Sequence, residues 1–277
     1  MCLRTTLTSL IVFVVLSGSS VGHAEESAEP VTAEFRPTPD IDYIWDGGAA
    51  PFVFGSLAVA LTTDLWLKPP KLPRFFAATE TPGLTVSDTV PNAAVAAYNV
   101  AGAALIALSD EPSRWHHFKG YAEAALTTAA LTSLTKNFVG RRRPHFPAGD
   151  DPDRRRSFFS GHASMSAVTT VYVGLYLHEH IFPKYSGTGA TLWKSAVWVA
   201  LGGVLVGVPY SRLYDNRHHL SDVLTGSAVG SGLALAFFIY QEGRFEDDKK
   251  RFFNKQVNSL SLAPDFQNRG LMLQGRW

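Results

Sequence analysis

Between Pro51 and Gln241 the sequence passes through six apolar stretches: Pro51–Leu67, Pro91–Ser109, Gly120–Thr135, Ala163–Leu177, Ser195–Ser211 and Val223–Gln241. This recurrence constrains the fold more than any other feature. Each stretch is rich in Ala, Leu, Gly and Val and is bounded by polar or turn-forming residues, which predicts six helices that bury one another. The second, fifth and sixth are free of charge over nearly the ~20 residues that cross a bilayer. The first holds Asp64, the third Glu123 and several threonines, and the fourth is short before His178-Glu179-His180, so these three read as buried bundle helices. Gly226, Gly230 and Gly232 recur along the sixth stretch and would let neighbouring backbones approach closely. The expected fold is all-α, a membrane-embedded bundle of about six apolar helices.

The flanks set the domain boundaries. Residues 1–24 combine Arg4, an apolar run from Leu10 to Leu16 and small residues up to Ala24, the pattern of a secretory signal; an uncleaved anchor is the alternative. Residues 25–47 form an exposed acidic arm, 48–242 the helical domain, and 243–277 a polar tail with alternating pieces around Pro264-Asp265-Phe266 that predict a small C-terminal β-hairpin. A net charge of +1 carries no general signal for nucleic acid, so anion recognition rests on local clusters. The single cysteine, Cys2, rules out a disulfide framework or a cysteine-based zinc site.

Three separated segments share one chemical theme. Lys136 closes the third stretch and Arg143 precedes Pro144, and together they offer a compact charge and a planar fork to one tetrahedral anion. Ser157-Phe-Phe159-Ser160-Gly161-His162 opens the fourth stretch. The first N–H groups of a helix attract phosphate, Ser160 adds a hydroxyl, Gly161 permits close backbone approach, and His162 can protonate a departing alkoxide. Ser211-Arg212, continuing to His218, His219 and Asp222, links the fifth and sixth stretches. His218 and Asp222 are four apart at a helix start. Asp222 can therefore accept from one ring nitrogen, leaving the other as a nucleophile, and Arg212 adds a further phosphate contact. His116-His117 reads as a surface pair near a helix start. His178 and His180 are two apart and cannot share a helix face, which argues against metal binding by them.

The order Lys-x6-Arg-Pro, Ser-Gly-His, Ser-Arg-x5-His-x3-Asp resembles the type 2 phosphatidic acid phosphatase and vanadium haloperoxidase superfamily across about Gly120 to Tyr240. The resemblance implies that Lys136, Arg143 and Arg212 hold a phosphate cradled by Ser160 and Gly161. It implies that His218 attacks phosphorus, Asp222 orients His218, His162 protonates the leaving group, and water then hydrolyses the phosphohistidine. No cofactor or metal is implied, because three cations and a helix start already neutralise the transferring group. The implied partners are a phosphorylated lipid and a membrane, with no nucleic acid and no required protein partner.

One departure stands out: the family usually has proline before Ser-Gly-His, and this chain has Phe159. Bacterial inner-membrane members carry six spans and a periplasm-facing site. With a cleaved signal, that orientation requires one of the first three stretches not to cross. The alternatives are a soluble periplasmic acid phosphatase, a haloperoxidase using the cradle for vanadate, and a silent lipid-binding pseudoenzyme.

Overall fold

A computed structural model describes residues 49–66, 88–144, 152–265 and 270–275, with side chains placed for 53–62, 88–144 and 154–254. The expected signal and acidic arm lie outside the described residues. Six α-helices follow in order: α1 Ala49–Trp66, α2 Asn92–Ala107, α3 Arg114–Val139, α4 Gly161–Tyr176, α5 Thr188–Tyr214 and α6 Leu220–Ser259. A 3-10 turn, Pro152–Arg155, precedes α4, and a π turn, Leu177–Ile181, then a 3-10 turn, Phe182–Lys184, follow it. Beyond α6, strands β1 Leu260–Asp265 and β2 Gly270–Gly275 pair antiparallel, Leu260 opposite Gly275.

Helix α4 is the centre of the bundle, with Val168, Tyr172, Val173 and Tyr176 buried against Ile106 of α2, Tyr121 and Ala124 of α3, and Phe237 and Phe238 of α6. Its hydroxyls are paired within that core. Thr169 Oγ1 meets Tyr121 Oη at 2.8 Å, and Thr170 Oγ1 meets Tyr98 Oη at 2.9 Å. The buried carboxylate of Glu123, which depressed the third stretch as a span, accepts from Gln241 Nε2 at 3.0 Å and lies 3.5 Å from Lys119 Nζ. The two partners offset part of the cost of burying that charge.

Two of the three expected glycine contacts are made. A methyl group on Gly226 would stand 2.6 Å from Ser160 O, and one on Gly230 would stand 2.2 Å from Ser164 O, so α6 lies directly on the first turns of α4. Gly232 faces open space.

Among the described residues two helices, α5 and residues 220–254 of α6, are long and apolar enough to cross a membrane. The second stretch was expected to join them, but α2 is a 16-residue helix that ends at Ala107. A helix of that length is about 24 Å long, short of the ~30 Å hydrocarbon core. Most of α5 is exposed, including Leu192, Trp198, Val199 and Val206.

Helix α6 also runs past the expected end of the bundle at residue 242, through Gly243 to Ser259. The mixed charges there support a helix rather than a loop, with Lys249 paired to Glu246 and Lys250 to Asp247 three residues apart. A further correction concerns His116 and His117, expected at the surface: both are buried, against Phe245 and Phe238 of α6.

Candidate active site

Three chain reversals come together where α3 ends and where α4 and α6 begin. Helix α3 stops at Gly140, whose φ of 59° is left-handed and whose N–H caps Lys136 O. Only glycine takes that conformation without strain, and this turn releases the chain into 141–144. The released segment is pinned by Arg143 N–H to Arg154 O and Ser157 N–H to Arg141 O, both 3.0 Å. The Arg154–Arg156 run thereby lies beside the site. Helix α4 then starts at Gly161, with Ser160 Oγ accepting the Ala163 N–H as its N-cap.

The α5–α6 turn folds back through Arg217 and His218 N–H groups, which both donate to Arg212 O. At the start of α6, Asp222 Oδ2 accepts the His219 N–H at 3.0 Å, a carboxylate reaching back to the cap as in a capping box. Ser160 N–H donates to Asp222 O at 3.0 Å, which fastens the start of α4 to the start of α6.

Asp222 is fully buried, and its side chain is shared more widely than its spacing from His218 predicts. It accepts from Arg141 Nη1 and from Ser157 Oγ in addition to the His219 N–H. His218 Nδ1 stands 3.7 Å from Asp222 Oδ2, too far for a hydrogen bond, and 3.5 Å from Ser157 Oγ. The expected direct His–Asp bond is thus replaced by an arrangement in which Ser157 lies between the two. Burial brings the His218 ring down to about 3, against an opposing contribution from Asp222 and with the Arg143 and Lys136 charges adding to the fall. At neutral pH the ring carries no charge.

The opposite wall comes from the segment just before α2. Arg212, buried, donates from Nη1 to Asp88 Oδ1 at 2.8 Å and to Val90 O at 3.3 Å. Its neighbour Asp215, also buried, accepts from Thr89 N–H and Thr89 Oγ1 at 2.9 and 2.6 Å. His162 Nε2 lies 3.0 Å from Val90 O, and since a carbonyl only accepts, the proton of the neutral ring sits on Nε2. Burial first, then the Arg212 charge, lowers His162 to about 4. Lys136 adds to the lowering of both rings, and its Nζ would lie 3.5 Å from a methyl group on Gly161.

Every residue singled out in the three segments therefore lies in one neighbourhood: two neutral imidazoles, a helix N-terminus, and the cations Lys136, Arg143 and Arg212. Phe159 is buried behind it, and the Phe158–Phe159 peptide is cis. Arg141, Ser157 and Asp215 escaped assignment although they lie inside or beside the quoted segments. Asp88, Thr89 and Val90 gave no signal at all, being 72 to 126 residues from the groups they touch. Among the described residues, the one group of three potential metal ligands, His117, His180 and Glu242, lies elsewhere.

Residues 117–246 match the family model of the PAP2 superfamily. The chain is 30% identical over 163 residues to phospholipid phosphatase 1 of Rattus norvegicus, covering 50% of this chain and 56% of that protein. It is 30% identical over 146 residues to phospholipid phosphatase 2 of Rattus norvegicus, covering 44% and 51%. It is also 30% identical over 141 residues to phospholipid phosphatase 2 of Homo sapiens, covering 42% and 48%. The chain spans about half the length of the curated relatives it matches. No solved structure matches it significantly.

Proposed function

With the chain belonging to the PAP2 superfamily over residues 117–246, we propose that it is a phosphatase acting on lipid-linked phosphate or pyrophosphate through a phosphohistidine intermediate. The observation that carries this is His218: a buried, uncharged imidazole on the α5–α6 turn, beside the start of α4 and within the field of Lys136 and Arg143.

His218 Nδ1 faces Ser157 Oγ, which donates its own proton to Asp222, so the ring proton belongs on Nδ1 and the lone pair on Nε2. That lone pair attacks phosphorus as the ester P–O bond breaks. Lys136, Arg143 and Arg212, with Ser160 and the Gly161 N–H at the helix start, hold the phosphoryl oxygens, where charge is greatest in the transition state. His162 delivers a proton to the departing alkoxide. In the second step water attacks phosphorus, the P–N bond breaks, and His162 takes the water's proton.

The low affinity of His162 for a proton fits this sequence once substrate is considered. Arg212 and Lys136 are two of the groups that hold it down. A phosphate dianion seated on them offsets their charge, so binding itself raises His162 toward the form that can donate. Three cations and a helix start supply the electrostatics, and the chemistry proceeds without a metal at this end of the bundle.

The relatives' printed names point to phospholipid substrates. The exposed apolar side chains of α5 and the length of α5 and α6 support a membrane location. The resemblance to bacterial inner-membrane members favours a site toward the periplasm, an orientation that with a cleaved signal requires one of the first three stretches not to cross.

The test is phosphate release from phosphatidate, prenyl pyrophosphate, lipid A and a soluble aryl phosphate, with EDTA present, for wild type and His218→Ala. The expected result is EDTA-resistant release from a lipid substrate that vanishes in the variant. Preference for the aryl phosphate would move the assignment to a soluble acid phosphatase. Equal release by both proteins, or none by either, would overturn the phosphohistidine mechanism.

A further inference from the structure

Helices α3 and α6 and the turn that follows α4 converge a second time, at the end of the bundle far from His218. Twenty residues separate Asp222 from Glu242 along α6, and nineteen separate Lys136 from His117 along α3, so the two places are about 30 Å apart. Here His117 Nε2, His180 Nε2 and Glu242 Oε2 form a triangle with every side 3.0 Å.

Hydrogen bonding does not satisfy such a triangle. Each imidazole nitrogen carries at most one proton and the carboxylate carries none, so one side always joins two donors or two lone pairs. The outer ring nitrogens sharpen the point. His117 Nδ1 lies 3.3 Å from Tyr172 Oη, and His180 Nδ1 lies 3.3 Å from Ser113 Oγ. Each hydroxyl can accept a ring proton, which leaves Nε2 bare on both rings and points three lone pairs at one another. A histidine whose second nitrogen is hydrogen-bonded in this way is the usual arrangement at a metal ion.

We infer that His117, His180 and Glu242 bind a divalent transition-metal ion, zinc by their two-imidazole, one-carboxylate donor set. The geometry needs little adjustment: an ion seated about 1 Å above the centre of the triangle is about 2 Å from all three atoms, the ordinary zinc–nitrogen and zinc–oxygen distance. His117 is buried, whereas His180 and Glu242 are partly exposed, so the remaining coordination position faces outward and takes water. The π turn Leu177–Ile181 brings His180 to its partners. Their chain positions rule out any short metal-binding motif, because each ligand belongs to a different element. At this distance from His218 the ion has no part in phosphate chemistry. Its consequence is mechanical: it ties α3, the end of α4 and α6 together at one point.

Protein purified in detergent without a metal-affinity tag, stripped with chelator and then titrated with Zn²⁺ tests this directly. Wild type is expected to take up one ion per chain and to unfold at higher temperature when loaded. Glu242→Gln and His180→Ala are expected to lose both responses while Glu242→Gln keeps wild-type phosphate release at 25 °C. Ser113→Ala, which leaves all three ligands in place, is expected to bind zinc about 10-fold more weakly. Absence of zinc uptake by wild type, unchanged affinity in Glu242→Gln, or binding of Mg²⁺ or Ca²⁺ as tightly as Zn²⁺ overturns the inference. If the ligand variants do not fold, Ser113→Ala decides alone, and unchanged affinity in it is fatal.

Discussion

The two ends of the bundle are built from the same three helical elements for opposite charges. At one end α3 finishes on Lys136, α4 begins with Ser160 and His162, and α6 begins with Asp222 beside His218. Helix starts, Lys136, Arg143 and Arg212 there favour a bound anion. At the other end the same elements present His117, His180 and Glu242, three lone-pair donors that favour a cation. A helix bundle can thus separate two kinds of ion recognition by the length of its helices alone. The phosphate end gathers its groups at helix ends and in the turns beside them. The histidine end sets His117 and Glu242 within helices and His180 on the π turn after α4.

The comparison predicts that substitutions at one end leave the other untouched. The largest effect belongs to His218→Ala, which should lower phosphate release by at least about a thousandfold, since a nucleophile has no substitute, while zinc affinity stays unchanged. Loss of both in a steady-state assay paired with a zinc titration would show that the ends are not independent. Arg212→Ala should cost about a hundredfold in kcat/KM, the size of losing one transition-state donor. Gly230→Ala is expected to lower stability by about 1–3 kcal/mol in thermal or denaturant unfolding, because the added methyl meets Ser164 O and forces α6 off α4. Ser157→Ala should lower kcat about tenfold, since it removes the hydroxyl lying between His218 and Asp222.

The smallest effect is a shift in pH dependence. His162 must be protonated to act as the acid, so kcat falls as pH rises through its value in the substrate complex. Asp88 raises His162 and also occupies Arg212. Asp88→Asn should therefore move the alkaline limb of the kcat profile to lower pH and lower KM for the phosphate ester. A limb that stays in place in Asp88→Asn would remove His162 from the acid role.

The same contrast explains what could be read from the sequence. The gathering of the proposed phosphate-binding groups was legible because they fall in three short segments with fixed internal spacing, and each spacing corresponds to a helix end. Within those segments the partnering was not legible. The four-residue step from His218 to Asp222 fixes a shared side but does not reveal that Arg141 and Ser157 arrive from elsewhere to occupy the carboxylate. The Asp88–Val90 wall and the histidine triangle were invisible for a simpler reason: their members are isolated in sequence and meet only through packing. His116 even read as a surface residue, because nothing local announces that α6 continues past Gln241 to bring Phe245 over it. The helical character of the described residues was plain, since apolar stretches between polar turns need no tertiary information. The length of α2 was not, because the apolar pattern runs on through Leu108 after the helix has ended.

The continuation of α6 to Ser259 has a practical consequence for deciding which way the protein faces. Forty residues of helix make a rod about 60 Å long, roughly twice the thickness of a bilayer's hydrocarbon layer. Asp222 marks one end of that rod and the paired charges Glu246–Lys249 and Asp247–Lys250 lie on the far half. Seated in a membrane, the rod puts its charged half across the bilayer from His218. A protease site or fluorescent reporter inserted after Ser259 therefore reads out the sidedness of the phosphate site from the opposite compartment, without any assay of activity.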